Sequence, residues 1–363
     1  MKNVMLYAYT HYNLGDDLFI KTICERYPNT NFLLLAPKGY CKTFSNLNNL
    51  KIINSDSLLF RGSKLIATTF NKKKLFYSYL ARKCHLQIYA GGSLFIQHDY
   101  WKEEYKNVQA MSKMKIPFFI LGANFGPFYE QSFLHAYYKI FFHLTDICFR
   151  DHYSYSLFKE LPNVRLATDM IFQLEPICLN KANQSVIISV IKPSIRKSLQ
   201  GYDEIYYNKI REITLHFLKE GYDVTLMSFC EYEQDHEAIK HILAPVSKHY
   251  INHIHTFYYK NNLEKALKLI SSCTFVVATR FHAMILGWLY QKSVFPIVYS
   301  SKMTNMIKDV NFQGNYTQFH ELETLEAETV YQSMSSNRID VTEQIMKAKE
   351  QFIKLDTYLE TEN

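Results

Sequence analysis

In Ser271-Ser272-Cys273-Thr274-Phe275-Val276-Val277-Ala278-Thr279-Arg280-Phe281-His282-Ala283-Met284-Ile285, a short apolar run of strand type, Phe275 to Ala278, meets a run of helix formers. The helical run continues from Ala283 to Tyr290, with Gly287 allowing close packing, so Arg280 and His282 fall where strand becomes helix. In an open α/β sheet the loops leaving the carboxyl ends of the strands line a crevice, and free N–H groups at the next helix start attract an anion. Arg280 offers a bidentate grip on carboxylate or phosphate, and His282 a proton that titrates near neutrality. An arginine capping a carbonyl and a histidine bonded inside the fold would account for the same residues, and by residue type alone that is the commoner outcome.

Composition sets the frame for weighing these readings. The chain has 363 residues, 48% hydrophobic and 21% charged, which is ordinary for globular protein and long enough for two domains. A net charge of +7 and a pI near 8.8 point to an acidic partner: an anionic small molecule, a membrane face or nucleic acid. The basic residues are scattered, with Lys72-Lys73-Lys74 as the one run, and no nucleic-acid-binding module is recognisable, so no nucleic acid partner is expected. The seven cysteines, Cys24, Cys41, Cys84, Cys148, Cys178, Cys230 and Cys273, form no close CxxC pair and read as reduced thiols of the cytosol. Met1 to Tyr7 runs into Tyr9, Thr10 and His11 without an extended apolar segment or small-residue cleavage site, and no apolar run approaches the ~18 residues that span a bilayer. The expectation is a cytoplasmic protein, with peripheral attachment at the inner face of the membrane left open. Neither an HExxH pair nor another compact ligand set is present, so no metal and no cofactor is expected.

The first half opens strand, loop, helix. Val4 to Tyr9 is apolar, Thr10-His11-Tyr12-Asn13-Leu14-Gly15-Asp16-Asp17 is polar, and Leu18 to Tyr27 has apolar residues at helical spacing. Gly15 lets backbone approach a ligand, but Asp16 and Asp17 stand where a phosphate loop would want neutral or basic groups. Asp16 is either an N-cap or a carboxylate that orients or deprotonates a substrate hydroxyl. Strands follow at Asn31 to Ala36 and Lys51 to Asn54, with a basic, aromatic helix over Lys72 to Lys83. Leu86 to Ala90 runs into Gly91-Gly92-Ser93, and Ile116 to Leu121 into Gly122-Ala123-Asn124-Phe125-Gly126-Pro127, so three strand-end glycine loops suggest one shared crevice. Asp146 to Phe149 leads to Arg150-Asp151, where Arg150 either binds an anion or pairs with Asp151 to stabilise the turn. Pro176, Asn180, Asn183 and Gln184 place a domain boundary near residue 180.

The second half repeats the alternation. Ser185 to Ile191 and Asp223 to Met227 are strands, and Tyr206 to Glu220, Glu233 to Leu243 and Asn262 to Ser272 are helices. Ser293 to Val298 ends in Tyr299-Ser300-Ser301-Lys302, whose hydroxyls and Lys302 suit a second anion, unless Ser300 or Ser301 only caps a helix. Leu325 to Asp356 is charged and largely helical and is read as an outer brace covering 325–363. The fold class is α/β, two parallel sheets with helices on both faces, 1–180 and 181–324, facing a cleft.

Taken together the loops resemble the polysaccharide pyruvyl transferase family. The family's opening Asn-x-Gly-Asp pattern stands as Asn13-Leu14-Gly15-Asp16, followed in order by Ala90-Gly91-Gly92-Ser93, Gly122-Ala123-Asn124-Phe125-Gly126-Pro127, Arg150-Asp151 with Ser154, Asp169, Arg280-Phe281-His282-Ala283 and Tyr299-Ser300-Ser301-Lys302. Ala90 departs from the pattern, since many relatives carry a third glycine there. The resemblance implies two Rossmann-like domains in a GT-B-like architecture, the first on the acceptor side and the second on the donor side. It also implies transfer of pyruvate from phosphoenolpyruvate to a sugar of a surface polysaccharide or its precursor, free or lipid-linked, as a ketal. Arg150, Arg280 and His282, with Ser300, Ser301 and Lys302, would hold the donor. Asn13, Gly15, Gly91, Gly92 and Asn124 would line the acceptor cleft, and His282, Asp16 and Asp17 are the candidates for proton transfer. Two rivals remain: a GT-B nucleotide-sugar glycosyltransferase, and a non-catalytic family member acting as a binding or assembly protein.

Overall fold

Near-continuous apolar runs such as Phe118 to Leu121 and Phe275 to Ala278 become parallel strands covered on both faces, the setting in which a strand has no polar side. The structure, a computed structural model, describes residues 1–57, 81, 83–175 and 184–360. The basic helix read over Lys72 to Lys83, apart from Ala81 and Lys83, lies outside the described residues, as do the boundary near 180 and Cys178.

Packing divides the chain into two units, one of residues 1–10, 18–173 and 344–363, the other of residues 11–17 and 174–343. In the first unit the strands are β1 (Lys2–Tyr7), β2 (Thr30–Ala36), β3 (Leu50–Asn54), β4 (Leu86–Ala90), β5 (Phe118–Ala123), β6 (Asp146–Phe149) and β7 (Val164–Leu166). Its longer helices before residue 174, among the described residues, are α1 (Leu14–Arg26), whose first turn belongs to the second unit, α2 (Trp101–Ser112), α3 (Gln131–Phe141) and α4 (His152–Phe158). The sheet is parallel in the order β3-β2-β1-β4-β5-β6-β7, with its reversal between β1 and β4. Phe95, Phe125, Phe133, Tyr137, Phe141 and Phe158 fill one face as an aromatic cluster of edge-on and tilted pairs.

The second unit holds β8 (Ser185–Val190), α5 (Asp203–Lys219), β9 (Asp223–Ser228), α6 (Asp235–Leu243), β10 (Ile254–Tyr258), α7 (Leu263–Ser272), β11 (Phe275–Ala278), α8 (Phe281–Leu289), β12 (Ser293–Val298), α9 (Ser301–Asp309) and β13 (Thr317–Gln318). Its parallel order, β10-β9-β8-β11-β12-β13, reverses between β8 and β11. In such a sheet the crevice for a ligand opens at the carboxyl ends of the strands beside the reversal, here Ser189 and Thr279-Arg280.

Several elements differ from the sequence reading. The helix read from Glu233 begins at Asp235, because Gln234 adopts a left-handed φ of 58° that ends the preceding turn. β10 and α2 are additional elements. The tail expected as one outer brace from 325 is divided: Val330 and Tyr331 pack on the α5 cluster of the second unit, whereas residues 344–363 belong to the first. The return is anchored by Gln351, fully buried, whose side-chain Oε1 accepts from Gly122 N at 3.0 Å and whose Nε2 donates to Thr168 O at 3.1 Å. Among the described residues no helix is long and apolar enough to cross a membrane.

Gln351→Ala would strip a buried backbone N–H of its acceptor and leave a void. The expected cost is about 1–3 kcal/mol of stability, read as a lower urea midpoint with an unchanged slope. A midpoint equal to wild type would show that Gln351 does not anchor the tail.

Candidate active site

The second unit builds a cluster around the β8–β11 reversal. Ser189, near the end of β8, accepts from Thr279 N at 3.0 Å and Arg280 N at 3.1 Å, fixing the start of α8 against the neighbouring strand. Arg280 precedes α8 in extended conformation, with its guanidinium turned into the fold. Its Nε donates to Asp235 Oδ2 at 3.1 Å, its Nη2 to Asp235 Oδ1, and its Nη1 to Glu233 Oε2 at 2.6 Å. Asp235, fully buried, also accepts from Phe229 N and Cys230 N, both at 2.9 Å. Burial pushes its carboxyl upward, Arg280 opposes this, and the net shift is upward. Four donated hydrogen bonds, two from a cation, are what a buried carboxylate needs to remain charged.

Glu233 is shared, since Arg196 also pairs with its Oε2. Burial raises the Glu233 carboxyl, but Arg280 and Arg196 outweigh that and hold it at about 2, so it stays ionised across the neutral range. The Arg196 guanidinium lies 4.7 Å from the centroid of the Tyr299 ring, and Lys302 Nζ lies 6.0 Å from that ring and 5.7 Å from the Phe281 ring. Burial raises the Tyr299 phenol, yet Lys302, Arg196 and Arg280 prevail and the net shift is downward. Ser300 precedes α9, and its Oγ is buried without a hydrogen-bond partner, while Ser301 is exposed at the first turn. A cation, a helix start and an unused hydroxyl thus lie within one stretch, Tyr299 to Lys302.

The polar loop after β1 joins this cluster. Leu14 N donates to Phe229 O at 2.9 Å, and Asn13 bridges to Cys230, so the loop is pinned to the same turn that holds Asp235. Asn13 Oδ1 accepts from Gly15 N at 3.0 Å. His282 packs directly on Gly15: a Cβ built there would lie 1.7 Å from His282 Nδ1. Any side chain at Gly15 would expel the imidazole, so the glycine is required by contact rather than by φ. Tyr12 holds φ 51°, a rare state for a bulky residue and a mark of a constrained loop. Asp17 is fully buried and accepts from Tyr259 Oη at 2.5 Å, whereas Asp16 is half-buried. Of the two carboxylates, Asp16 is the one a ligand can reach.

The remaining sequence candidates belong to the first unit. Arg150 is 3% exposed, its Nη1 donating to Asp169 Oδ2 at 2.7 Å and its Nη2 to Asn124 Oδ1 at 2.7 Å. Gly92 lies beneath it, since a Cβ there would stand 2.5 Å from Arg150 Cζ, and Asn124 N donates to Gly92 O at 2.8 Å. Gly91 precedes this knot with φ 154°. As it stands, the Arg150 charge is met inside the fold. The sequence reading did not single out Glu233, Asp235, Arg196 and Tyr259. The signal available was Cys230-Glu231-Tyr232-Glu233-Gln234-Asp235, an acidic turn just after the strand read as ending at Met227. Among the described residues no group of three or more His, Cys, Asp or Glu is placed to hold a metal ion.

Comparison with known proteins bears on this geometry. The family profile described as polysaccharide pyruvyl transferase matches residues 13–301, a span that includes the Asn13 loop, Arg280, His282 and Ser301. Among solved structures, UDP-GlcNAc 2-epimerase from Methanocaldococcus jannaschii, in complex with UDP-GlcNAc and UDP, aligns with a TM-score of 0.63 at 10% identity, covering 98% of this chain and 99% of its own. UDP-GlcNAc 2-epimerase from Neisseria meningitidis aligns at 0.61 and 9% identity, covering 99% and 100%. ADP-heptose lps heptosyltransferase II from E. coli aligns at 0.52 and 14% identity, covering 93% and 98%. These likenesses show the fold, which is GT-B-like.

Gly15→Ala tests the contact that joins the loop to α8. Alanine suits a first helical turn better than glycine, so stability should hold or rise by up to about 1 kcal/mol if His282 swings away. The His282 ring resonances should shift in the variant, while those of the exposed His320 should stay where they are. An unmoved His282 signal in Gly15→Ala would contradict the packing.

Proposed function

This chain belongs to the polysaccharide pyruvyl transferase family, and from that premise we propose that it transfers pyruvate from phosphoenolpyruvate to a sugar of a surface polysaccharide or its precursor, forming a cyclic ketal. The observation that supports this reading is the seating of His282 on Gly15, which brings the Asn13-to-Asp16 loop and the Arg280-to-His282 turn together.

Phosphoenolpyruvate carries a carboxylate and a phosphate, so its binding calls for fixed cations and helix-start N–H groups. Arg196, Lys302 and the start of α9 with Ser300 and Ser301 are suited to receive these charges. Arg280, already committed to Asp235 and Glu233 through three donors, is suited to hold the cluster in position and retains two N–H bonds for an incoming oxygen. The reaction is an addition followed by an exchange. A proton is delivered to the donor's methylene carbon, which becomes the ketal methyl, as one sugar hydroxyl oxygen bonds to the neighbouring carbon. Phosphate then leaves that carbon and a second hydroxyl of the same sugar takes its place. The two hydroxyl protons balance the proton delivered to carbon and the one carried off by phosphate. His282 is suited to deliver the proton, and Asp16, the accessible carboxylate, to accept one from the sugar. The family's other reading, a non-catalytic binding member, differs in having no turnover. A nucleotide-sugar transferase would release nucleoside diphosphate instead of phosphate.

Acceptor-dependent release of phosphate from phosphoenolpyruvate, with no nucleoside diphosphate released from UDP-sugars, is the expected result with a polysaccharide-precursor mixture. Phosphoenolpyruvate left intact across that mixture, with nucleoside diphosphate formed instead, would overturn the reading. His282→Gln should lower kcat by about 10²-fold or more if the imidazole transfers a proton, and should flatten its pH profile. Arg280→Lys keeps charge but loses the planar fork. It should weaken phosphoenolpyruvate binding by at least about tenfold, about 1.4 kcal/mol, in a protein that remains folded by circular dichroism.

A further inference from the structure

A groove of about 280 Å³ opens in the second unit where the loop leading into α5 meets the segment after β13. Its floor is apolar, made by the half-buried Tyr202 and Ile205 and the buried Phe319, while Gln200, His320 and Glu323 stand exposed at the rim. Tyr202 and Phe319 meet edge-on with centroids 5.9 Å apart. Gly201, with φ 93°, has no atom within 4 Å of the place a side chain would occupy, so the backbone is bare there.

The groove is linked to the cationic cluster by packing and by the chain itself. Phe319 packs edge-on against Tyr299 at 6.2 Å, and Tyr299 carries the Arg196 guanidinium on its ring. A single loop after β8 supplies Arg196 to the cluster and Gln200, Gly201 and Tyr202 to the groove. That loop is held rigid between the two: Asp203 accepts from Ser194 N at 2.8 Å and from Ser194 Oγ at 2.7 Å, and Leu199 N donates to Arg196 O at 2.9 Å. A ligand spanning both places would therefore contact one preorganised segment.

We infer that this groove is a saccharide subsite, which seats one sugar ring of the acceptor beside the Arg196–Tyr299 cluster. Its volume lies just under the ~300 Å³ at which pockets for larger ligands begin, so it suits a single ring. A sugar presents an apolar C–H face and a circumference of hydroxyls. Tyr202 and Phe319 offer the surface for the first, and the amide of Gln200, the carboxylate of Glu323 and the imidazole of His320 offer donors and acceptors for the second. Among the described residues that line it, the groove has one carboxylate and no lysine or arginine, which suits an uncharged ring and disfavours a phosphate. The inference rests on the proposed pyruvyl transfer for its identification of the sugar as the acceptor, and it places acceptor recognition partly in the second unit, where the sequence reading expects only the donor.

The test uses the full-length protein and a panel of methyl glycosides of glucose, galactose, mannose, N-acetylglucosamine and N-acetylmannosamine, with uridine as the competing ligand class. Ligand-observed saturation transfer should reveal binding of at least one glycoside through its C–H face. The affinity should fall about tenfold or more in Tyr202→Ala and severalfold in Glu323→Ala, a surface change that leaves the core intact. Phosphoenolpyruvate affinity should be unaffected by Glu323→Ala. Binding of uridine in the groove with no glycoside bound, no binding by any glycoside, or glycoside affinity unchanged in both variants would each overturn the subsite. Failure of the function reading is separate: glycoside binding lost in the variants while phosphoenolpyruvate is never consumed keeps the subsite and removes the pyruvyl transfer.

Discussion

A carboxylate with no solvent exposure, Asp235, is the constraint to which the second unit is built. An ion removed from water is tolerated only when its lone pairs are fully engaged, and Asp235 receives two backbone N–H groups and two guanidinium nitrogens. Those four bonds draw together the turn after β9 and the turn before α8. The first of these turns then pairs with Asn13 and Leu14, and the second presents His282 to Gly15. Segments near residues 13, 230 and 280 are thereby registered to one another by a single buried charge. Directional bonds of this kind specify geometry where apolar contact alone would allow sliding.

The same arrangement governs the charge that a ligand meets. Arg196, Arg280 and Lys302 stand against Glu233 and Asp235, three cations to two carboxylates. Without the carboxylates, three like charges so close together would repel and spread the loops. With them, the cations are held in place and much of their charge is met. Glu233 is the adjustable member: it is shared by two arginines and partly exposed, unlike Asp235. For the proposed anionic donor, competing with Glu233 for Arg196 would exchange one ion pair for another, which costs less than desolvating a free cation.

Much of the fold was legible because buried parallel strands are apolar throughout, so Phe118 to Leu121, Ser185 to Ile191 and Phe275 to Ala278 announce themselves. β10 was not, since it is an edge strand whose His255, Thr256 and Tyr258 are exposed and break the apolar run. α2 is equally quiet, with Lys102, Glu103, Glu104 and Lys106 crowding its first half and only Trp101, Val108 and Met111 buried. The strand-to-helix placement of Arg280 and His282 was legible from the apolar run before them, although the contact of His282 with the Gly15 loop was not. Glu233 and Asp235 were not, because whether an acidic turn is solvated or buried is decided by an arginine 45 residues further along the chain. Asp16 and Asp17 are adjacent in sequence and opposite in environment, and the hydroxyl of Tyr259 that makes the difference lies 242 residues away.

Arg150 and Arg280 show where pattern reading stops. Each follows a short apolar strand and precedes a helix, and each reads as an anion grip. Arg150 meets one fully buried aspartate and one asparagine, with a glycine beneath it and almost no exposed surface, so its charge is used up in joining β6 to its neighbours. Arg280 is buried too, yet one of its carboxylates is itself contested by Arg196, and Lys302 and the start of α9 lie nearby. What separates the two ion pairs is therefore the balance of cations around each and the presence of a carboxylate shared between two arginines. Neither property belongs to the arginine, and neither is written in the residues next to it.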